Sequence, residues 1–573
     1  MDYPTILNAL LTIILALYGD SSLPRNIVDR VIDSFHDFIK CTFLVSLEKD
    51  ILIAIEKSFP KPLSADNIAI INEMKIRIHG CIRQHHDIFQ DVSSESKRFN
   101  LLRKTGFVEP IEFKLRRKWE NKIVDDESVY VQEDSFGVYV PLKHSLELFL
   151  EMPGMFNKIY NYVQHLSKNT SVITNVMQGK LWLQKYALKY KDEIFFPIFQ
   201  YYDEIEVKNP LGSHAGVNKF GAVYFSIACL PPDVASRLNS IFFSTLIYAE
   251  DLKKCTNEEV FRRLIDELNF LAKTGITILV EGVQKVIKFQ LILILGDNLG
   301  SNQICGFIDS FKSDYWCRFC EFTAKEAASM TAEIKARFRD RKNYKEDLKL
   351  GNESLTGIEE SYVFNKVFGF FITENKCLDM MHDVFEGVCM YVVGKLLYTF
   401  IYVKGYFTEA WLNSKLRELD FGNKSNSPPK IKTNRIKRKM HLKMSAAEMY
   451  IFVKYLGVLI GEKIPRSDEH WKLYKSLRKV VDIMMSPRVD AGLLRELRDE
   501  VETVCNLYLI FYGNLKPKFH NLLHYARLMA WLGPCKNFWC MPFESRHRHL
   551  KLQPVLKINL RQLQSNKSLE CVK

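Results

Sequence analysis

The sequence predicts a mixed α+β fold: a mixed sheet flanked by helices, preceded by an N-terminal helical domain and interrupted by a large helical insertion. Three observations predict it. Short runs rich in aromatic and β-branched residues occur at 194–202, 220–230, 241–248 and 285–295, and read as strands. Between the third and fourth lies Asn257 to Lys273, with Val260, Leu264, Leu268 and Leu271 on one helical face. Most of the remaining chain carries helical rather than alternating periodicity. Strands joined by hairpins, then a helix, then a further strand make a mixed sheet covered by helices.

Length and composition bound what this fold can serve. With 573 residues the chain is too long for one simple core, and roughly three or four domains are expected. A hydrophobic fraction of 47% with 12% aromatics excludes a disordered chain. The formal charge of +13, from 80 basic and 67 acidic residues, favours a polyanionic partner such as nucleic acid. Thirteen cysteines, an odd number in no compact framework, argue against a secreted disulfide scaffold. They fit an intracellular protein with buried thiols and one metal-binding pair. The apolar run Ile6 to Tyr18 has no basic region before it and is too short to span a bilayer, so a buried helix is expected. No other stretch reads as a membrane span, and no membrane partner is expected.

Taken in order, residues 1–190 read as the helical N-terminal domain. Pro24 precedes Ile27, Val28, Val31, Ile32 and Phe35 at helical spacing, and Ser145 to Gln164 continues the pattern with a break at Pro153-Gly154. The basic run Lys114 to Lys118 reads as a solvated face or, less readily, a phosphate contact. Residues 191–325 carry the strands and end in Cys317-x-x-Cys320. Residues 326–510 are the mostly helical insertion. Within it, Thr331 to Lys349 reads as a solvated helix or loop, 423–443 as an exposed basic linker, and Ser445 and Ser467 as helix caps. Residues 511–573 hold a closing helix and a tail.

Two sets of residues point to chemistry. Asp203 lies in the first strand, and Asp297 follows the apolar run Leu291 to Leu295, where the fourth strand leaves the sheet. Ligands collect at such carboxyl ends. If the first and fourth strands are neighbours, as in ribonuclease H, the two carboxylates converge and offer Mg²⁺ its preferred oxygen donors. Alternation places Glu204 and Glu206 on the face opposite Asp203. The second set is soft. Cys317 and Cys320 are spaced to share one metal ion, and His520 and His524 fall on one helical face. Together they make a Cys₂His₂ zinc set if the fold joins them; apart, each pair is a common packing feature.

The segments YYDEIEVKNPLGSHAGVNKFGAVYFSIACLPP, LILGDNLGS, DYWCRFC, CLDMMHDVFEGV and LKPKFHNLLHYARLMAWLGPCKNFWCMPFESRHRHLK resemble the transposases of CACTA-type (EnSpm-like) DNA transposons. The resemblance runs from about Val140 to Leu552, and the layout is also similar to the catalytic core of the V(D)J recombinase. It implies a ribonuclease-H-like DDE core in which Asp203, Asp297 and Glu544 hold two Mg²⁺ (or Mn²⁺) ions. The acidic motif Asp379-x-x-His382-Asp383-x-x-Glu386 offers Glu386 as a rival third acid. It implies one structural Zn²⁺ on Cys317, Cys320, His520 and His524, placing the helix that delivers Glu544. It further implies a nuclear enzyme that hydrolyses and transfers phosphodiesters of double-stranded DNA, at transposon ends and target, as a homo-oligomer. The alternative is a host-retained or truncated, catalytically silent relative that binds DNA or protein.

Overall fold

The computed structural model describes residues 3–19, 25–61, 63–104, 108, 110–124, 127–168, 171–191, 193–206, 219–308, 310–422, 426–432 and 442–552. Most of the basic linker and the tail beyond 552 lie outside them. The chain divides into two units. One comprises 1–112, 118–140 and 547–573; the other comprises 113–117 and 141–546.

The first unit holds the helices Tyr3–Gly19, Arg25–Phe38, Leu44–Lys57, Ala65–Asp91 and Glu95–Lys104. Leu10, Leu11, Ile14, Val28, Ile32, Val92 and Leu102 form its core, so the N-terminal apolar run is a buried helix, as expected. Arg98, buried among them, pairs with Asp29 and donates to the Val92 carbonyl at 3.0 Å. The expectation of an all-helical stretch to residue 190 fails at two strands, β1 (Ile111–Val124) and β2 (Glu127–Tyr139). Ile111, Phe113 and Leu115 alternate with Glu112, Lys114 and Arg116, a period of two that the basic run masks.

In the second unit the strands are β3 (Ile194–Glu206), β4 (Lys219–Ile227), β5 (Phe242–Tyr248), β6 (Ile276–Val280) and β7 (Val283–Leu295), ordered β5-β4-β3-β7-β6. β3 is antiparallel to β4 and parallel to β7. This is the adjacency that the two aspartates require. β3 is buried from Phe195 to Tyr202, and Asp203 is the first polar residue as it emerges. Such burial on both faces explains its largely apolar run, which only Gln200, fully buried, interrupts. β6 was not anticipated. It is a short antiparallel partner of β7, joined through Glu281 and Gly282, both at positive φ. The crossover helix Asn257–Lys273 is as read, with a Thr256–Glu259 capping box and Val260, Leu264, Leu268 and Leu271 buried.

The insertion is helical as expected, although Ser361 to Met380 is largely irregular and the long helix begins near Met381. Ser445 caps the helix Ala446–Ile460. The next helix, Glu469–Met484, is capped by Asp468 rather than Ser467; its carboxylate takes two backbone N–H groups where a hydroxyl takes one. One helix among the described residues, Met381–Val403, is long and apolar enough to cross a membrane, contrary to expectation; 61% of its apolar window is buried inside the protein, as in a core helix.

Two glycines show how tightly the segment before Cys317 is held. Gly357 sits at φ +73°, and a Cβ there would lie 1.9 Å from the Tyr315 carbonyl oxygen; Gly351, at φ +61°, has nothing within 4 Å. Left-handed backbone alone costs about 1 kcal/mol on Gly→Ala. Gly351→Ala is expected to lose about that much in urea unfolding, and Gly357→Ala at least about 2 kcal/mol, because backbone must move as well. Equal losses would show that the close approach to Tyr315 carries no energy.

Candidate functional site

The parallel register of β3 and β7 ends on Tyr201 opposite Leu295. Asp203 and Asp297 each lie two residues further on, at the same edge of the sheet. Asp297 also caps the helix Asn298–Cys305, accepting from the Gly300 amide at 2.6 Å. That turn is close-packed: a Cβ on Gly300 would lie 3.0 Å from the Asp297 carboxylate, and one on Gly296 would lie 3.0 Å from the Tyr202 carbonyl oxygen. Asp203 accepts a hydrogen bond from the Tyr201 hydroxyl at 3.0 Å.

Glu544 arrives on the helix Met541–Leu552, more than three hundred residues after Asp203. Phe543 stacks on Tyr201, ring centroids 4.7 Å apart, which presses the first turn of this helix against the end of β3. Ahead of it, the Cys540 amide donates to Asp379 at 2.8 Å. The same Asp379 carboxylate holds His382 Nδ1 at 2.7 Å, and His382 Nε2 lies 3.4 Å from Glu544. The brace Asp379–His382 therefore aims at Glu544. Both residues belong to the acidic motif read from the sequence, but their part in it was missed, as was that of Tyr201.

Electrostatics mark these groups as one cluster. Burial, then the charge of Asp297, raises the Asp203 carboxyl to about 6, against the pull of Tyr201 and His382. Burial also raises Glu544 to about 7; His382 opposes this, while Asp203, Asp379 and Glu386 add to it in that order. For His382, burial works against the charged ring, but Asp379, Glu544 and Asp297 outweigh it and hold the imidazole near 9. The rival acid Glu386, on the π-helical turn Met381–Val388, thus neighbours Glu544 but acts on it less than Asp203 does. Asp297 thus acts on Asp203 and Asp203 on Glu544, with the His382 imidazole as a cation beside Glu544.

The sulfur and imidazole ligands also meet. Cys317, Cys320, His520 and His524 are all buried, with ligand atoms within 4.8 Å of one another. Cys320 Sγ is 3.1 Å from His520 Nε2, and Cys317 Sγ is 3.6 Å from His524 Nε2. Bonds of about 2.3 Å to sulfur and 2.0–2.1 Å to nitrogen give tetrahedral edges of about this length, so the four residues fit a metal ion. Behind them, His524 Nδ1 meets Glu333 at 2.6 Å, and Glu333 also takes Arg527 Nε at 3.0 Å. A carboxylate behind a ligating imidazole fixes its tautomer and orientation. Glu333 lies in the stretch read as solvated; its high charge concealed the partly buried acid. Asp379, His382 and Cys540 form a second group of metal-ligand type, but the Asp379 oxygens are already taken by N–H donors.

Comparison with protein-family models and with curated proteins finds no match to this chain.

Two outcomes follow from this geometry. Asp203 and Glu544 are raised above their unfolded values, so the stability they contribute is present at low pH and is lost as pH rises through about 6 to 7. The Asp203→Asn/Glu544→Gln variant should therefore be more stable than the parent at pH 8, with the difference shrinking by pH 5, in urea titrations without divalent cations. A gap independent of pH would mean that the carboxylates do not strain the fold. For the second set, elemental analysis should give about one zinc per chain, and Cys320→Ser should lose it together with melting temperature. Metal-free Cys320→Ser protein that melts like the parent would deny the site a structural role.

Proposed function

We propose that the chain is a DDE-type transposase with a ribonuclease-H-like core, hydrolysing DNA phosphodiesters at transposon ends and transferring the freed strand to target DNA. The observation that carries this reading is the shared exit of Asp203 and Asp297 from adjacent parallel strands, with the first turn of the helix that carries Glu544 held to the end of β3 by the Phe543–Tyr201 stack. The order β5-β4-β3-β7, a three-stranded meander with β7 laid parallel to its first strand, supports the core assignment. β6 is an addition at the edge.

In this reading Asp203, Asp297 and Glu544 hold two Mg²⁺ ions. The metal supplies activation of the attacking oxygen and stabilisation of the leaving one. The chain's own residues supply placement. Tyr201 orients the Asp203 carboxylate, the helix cap fixes Asp297, and His382 with Asp379 steadies Glu544. Cys317, Cys320, His520 and His524, with zinc as the ion, tie the end of the sheet region to the helical segment that leads to Glu544. The surplus of +13 charges suits a DNA backbone. Nuclear location and a homo-oligomeric paired-end complex belong to the same reading. A catalytically silent relative that only binds DNA or protein is the second one; the retention of all three acids favours the first.

Purified protein with Mg²⁺ or Mn²⁺ is expected to nick DNA carrying the terminal repeats of its element. Asp297→Ala should lower the rate by at least about 100-fold, the scale of losing a group that acts on transition-state charge. Undiminished cleavage by Asp297→Ala would take Asp297 out of the mechanism. DNA binding without metal-dependent cleavage would favour the silent relative.

A further inference from the structure

Outside the carboxylate cluster, a cleft of about 530 Å³ opens on the outer side of the Cys/His set, between Phe319, the start of the helix Arg341–Leu350, Thr373 to Lys376 and the segment 527–531. Five cations and two carboxylates line it, a formal charge of +3. The carboxylates are both engaged. Glu374 takes Lys185 at 2.5 Å and Arg341 at 2.9 Å, and Asp340 caps the helix through the Lys342 and Asn343 amides. Arg339 is spent as well, on Asp347 and the Cys317 and Thr356 carbonyls.

What remains is donors that are only partly satisfied. Lys376 is 6% exposed; its amine donates to the Arg318 and Arg339 carbonyls, at 3.0 and 3.2 Å, lies 4.9 Å from the Phe319 ring centre and meets no carboxylate among the described residues. Burial, then Arg527 and Arg339, lowers it to about 7, so an anion beside it would restore its proton. Two thiolates holding Zn²⁺ would form a neutral cluster, so they would leave a protonated Lys376 unbalanced. Thr373 is 9% exposed, and its hydroxyl has no partner among the described residues; Arg527 Nη2 is likewise buried and unpaired. A buried amine, a buried hydroxyl and a buried guanidinium nitrogen, all on side chains that line one cleft, would be completed by an anion. We propose that this cleft binds a phosphate group carried by a nucleotide unit, held by Lys376, Thr373 and Arg527, with Arg341 and Lys342 at the mouth. The volume suits a phosphate with its sugar and base attached. The site stands apart from the three carboxylates and does not depend on their chemistry. A DNA strand and a free phosphorylated ligand offer the same group.

The test uses the full chain, zinc-loaded, without added divalent cation, so that the three carboxylates repel rather than hold phosphate. Inorganic pyrophosphate is titrated calorimetrically, and a labelled oligothymidylate of about 12 nucleotides is followed by anisotropy. Saturable binding of at least one probe is expected. Lys376→Met should weaken it at least about 10-fold, and Thr373→Val and Arg341→Gln about 3- to 10-fold each. Lys349→Gln, further along the same helix, should leave it unchanged. Tight pyrophosphate binding without the oligonucleotide assigns a free ligand; the reverse assigns a strand. The proposal is overturned if neither probe saturates, or if folded variants with full zinc bind like the parent. Should Lys376→Met fail to fold, Thr373→Val and Arg341→Gln decide alone. Cleavage activity is a separate measurement, so loss of either conclusion leaves the other standing.

Discussion

One fully buried carboxylate, Asp383, fixes how the parts of the candidate site meet. It accepts from Asn298 Nδ2 at 2.7 Å, from Asn521 Nδ2 at 3.0 Å and from the Tyr525 hydroxyl at 3.1 Å. Each donor is next to a residue that matters. Asn298 follows Asp297, Asn521 and Tyr525 each adjoin one of the two histidines, and Asp383 itself follows His382. Burial pushes its carboxyl up, and the Asn521 and Asn298 bonds pull it back. Arg318, between the two cysteines, extends the network by donating to Asn298 and Asn302 and to the Cys377 carbonyl. An apolar core would hold these elements together as strongly, but it would tolerate sliding. A buried charge with three directed donors has one low-energy arrangement, and removing any partner strands the rest.

That rigidity has to oppose a strain built into the site. Asp203 and Glu544 are held in place although burial and neighbouring carboxylates disfavour their charges. Left to themselves, side chains in that position would turn away. They are prevented by neighbours with no charge to give: the Tyr201 hydroxyl on Asp203, the Gly300 amide on Asp297, and the ring stack of Phe543 on Tyr201. His382 is the exception. Its imidazole stands between Asp379 and Glu544 and is the charged group that acts most strongly on Glu544. Strain concentrated at one polar cluster is the usual signature of a site rather than of a core.

Much of the sheet was legible because its signals are local. Apolar runs bounded by Asp203 and Asp297 marked β3 and β7 and placed both acids at strand ends, and the crossover helix declared itself through its cap and its single apolar face. Failures came where one signal covered another. Lys114 and Arg116 hid the alternation of β1, and the five residues of β6 were too few to stand out beside β7. Within the site, Cys317, Cys320, His520 and His524 were found by type and spacing. Glu333, Asp379 and His382 act through the geometry of other side chains, which spacing does not encode.

The same contrast explains why the third acid is harder to read than the first two. A parallel pair in fixed register sets Asp203 and Asp297 together as soon as the sheet forms; nothing outside the sheet is needed. Glu544 has no such partner. Its place follows from a chain of separate contacts running through the Cys/His set, Asn521 and Tyr525 on Asp383, the Cys540 amide on Asp379, and only then Phe543 on Tyr201. Every link joins residues more than 130 positions apart. Loop closure on that scale has to be repaid by strong, directional contacts. That is why buried carboxylates and metal ligands, rather than more leucine, occupy the junction between the sheet and the helices.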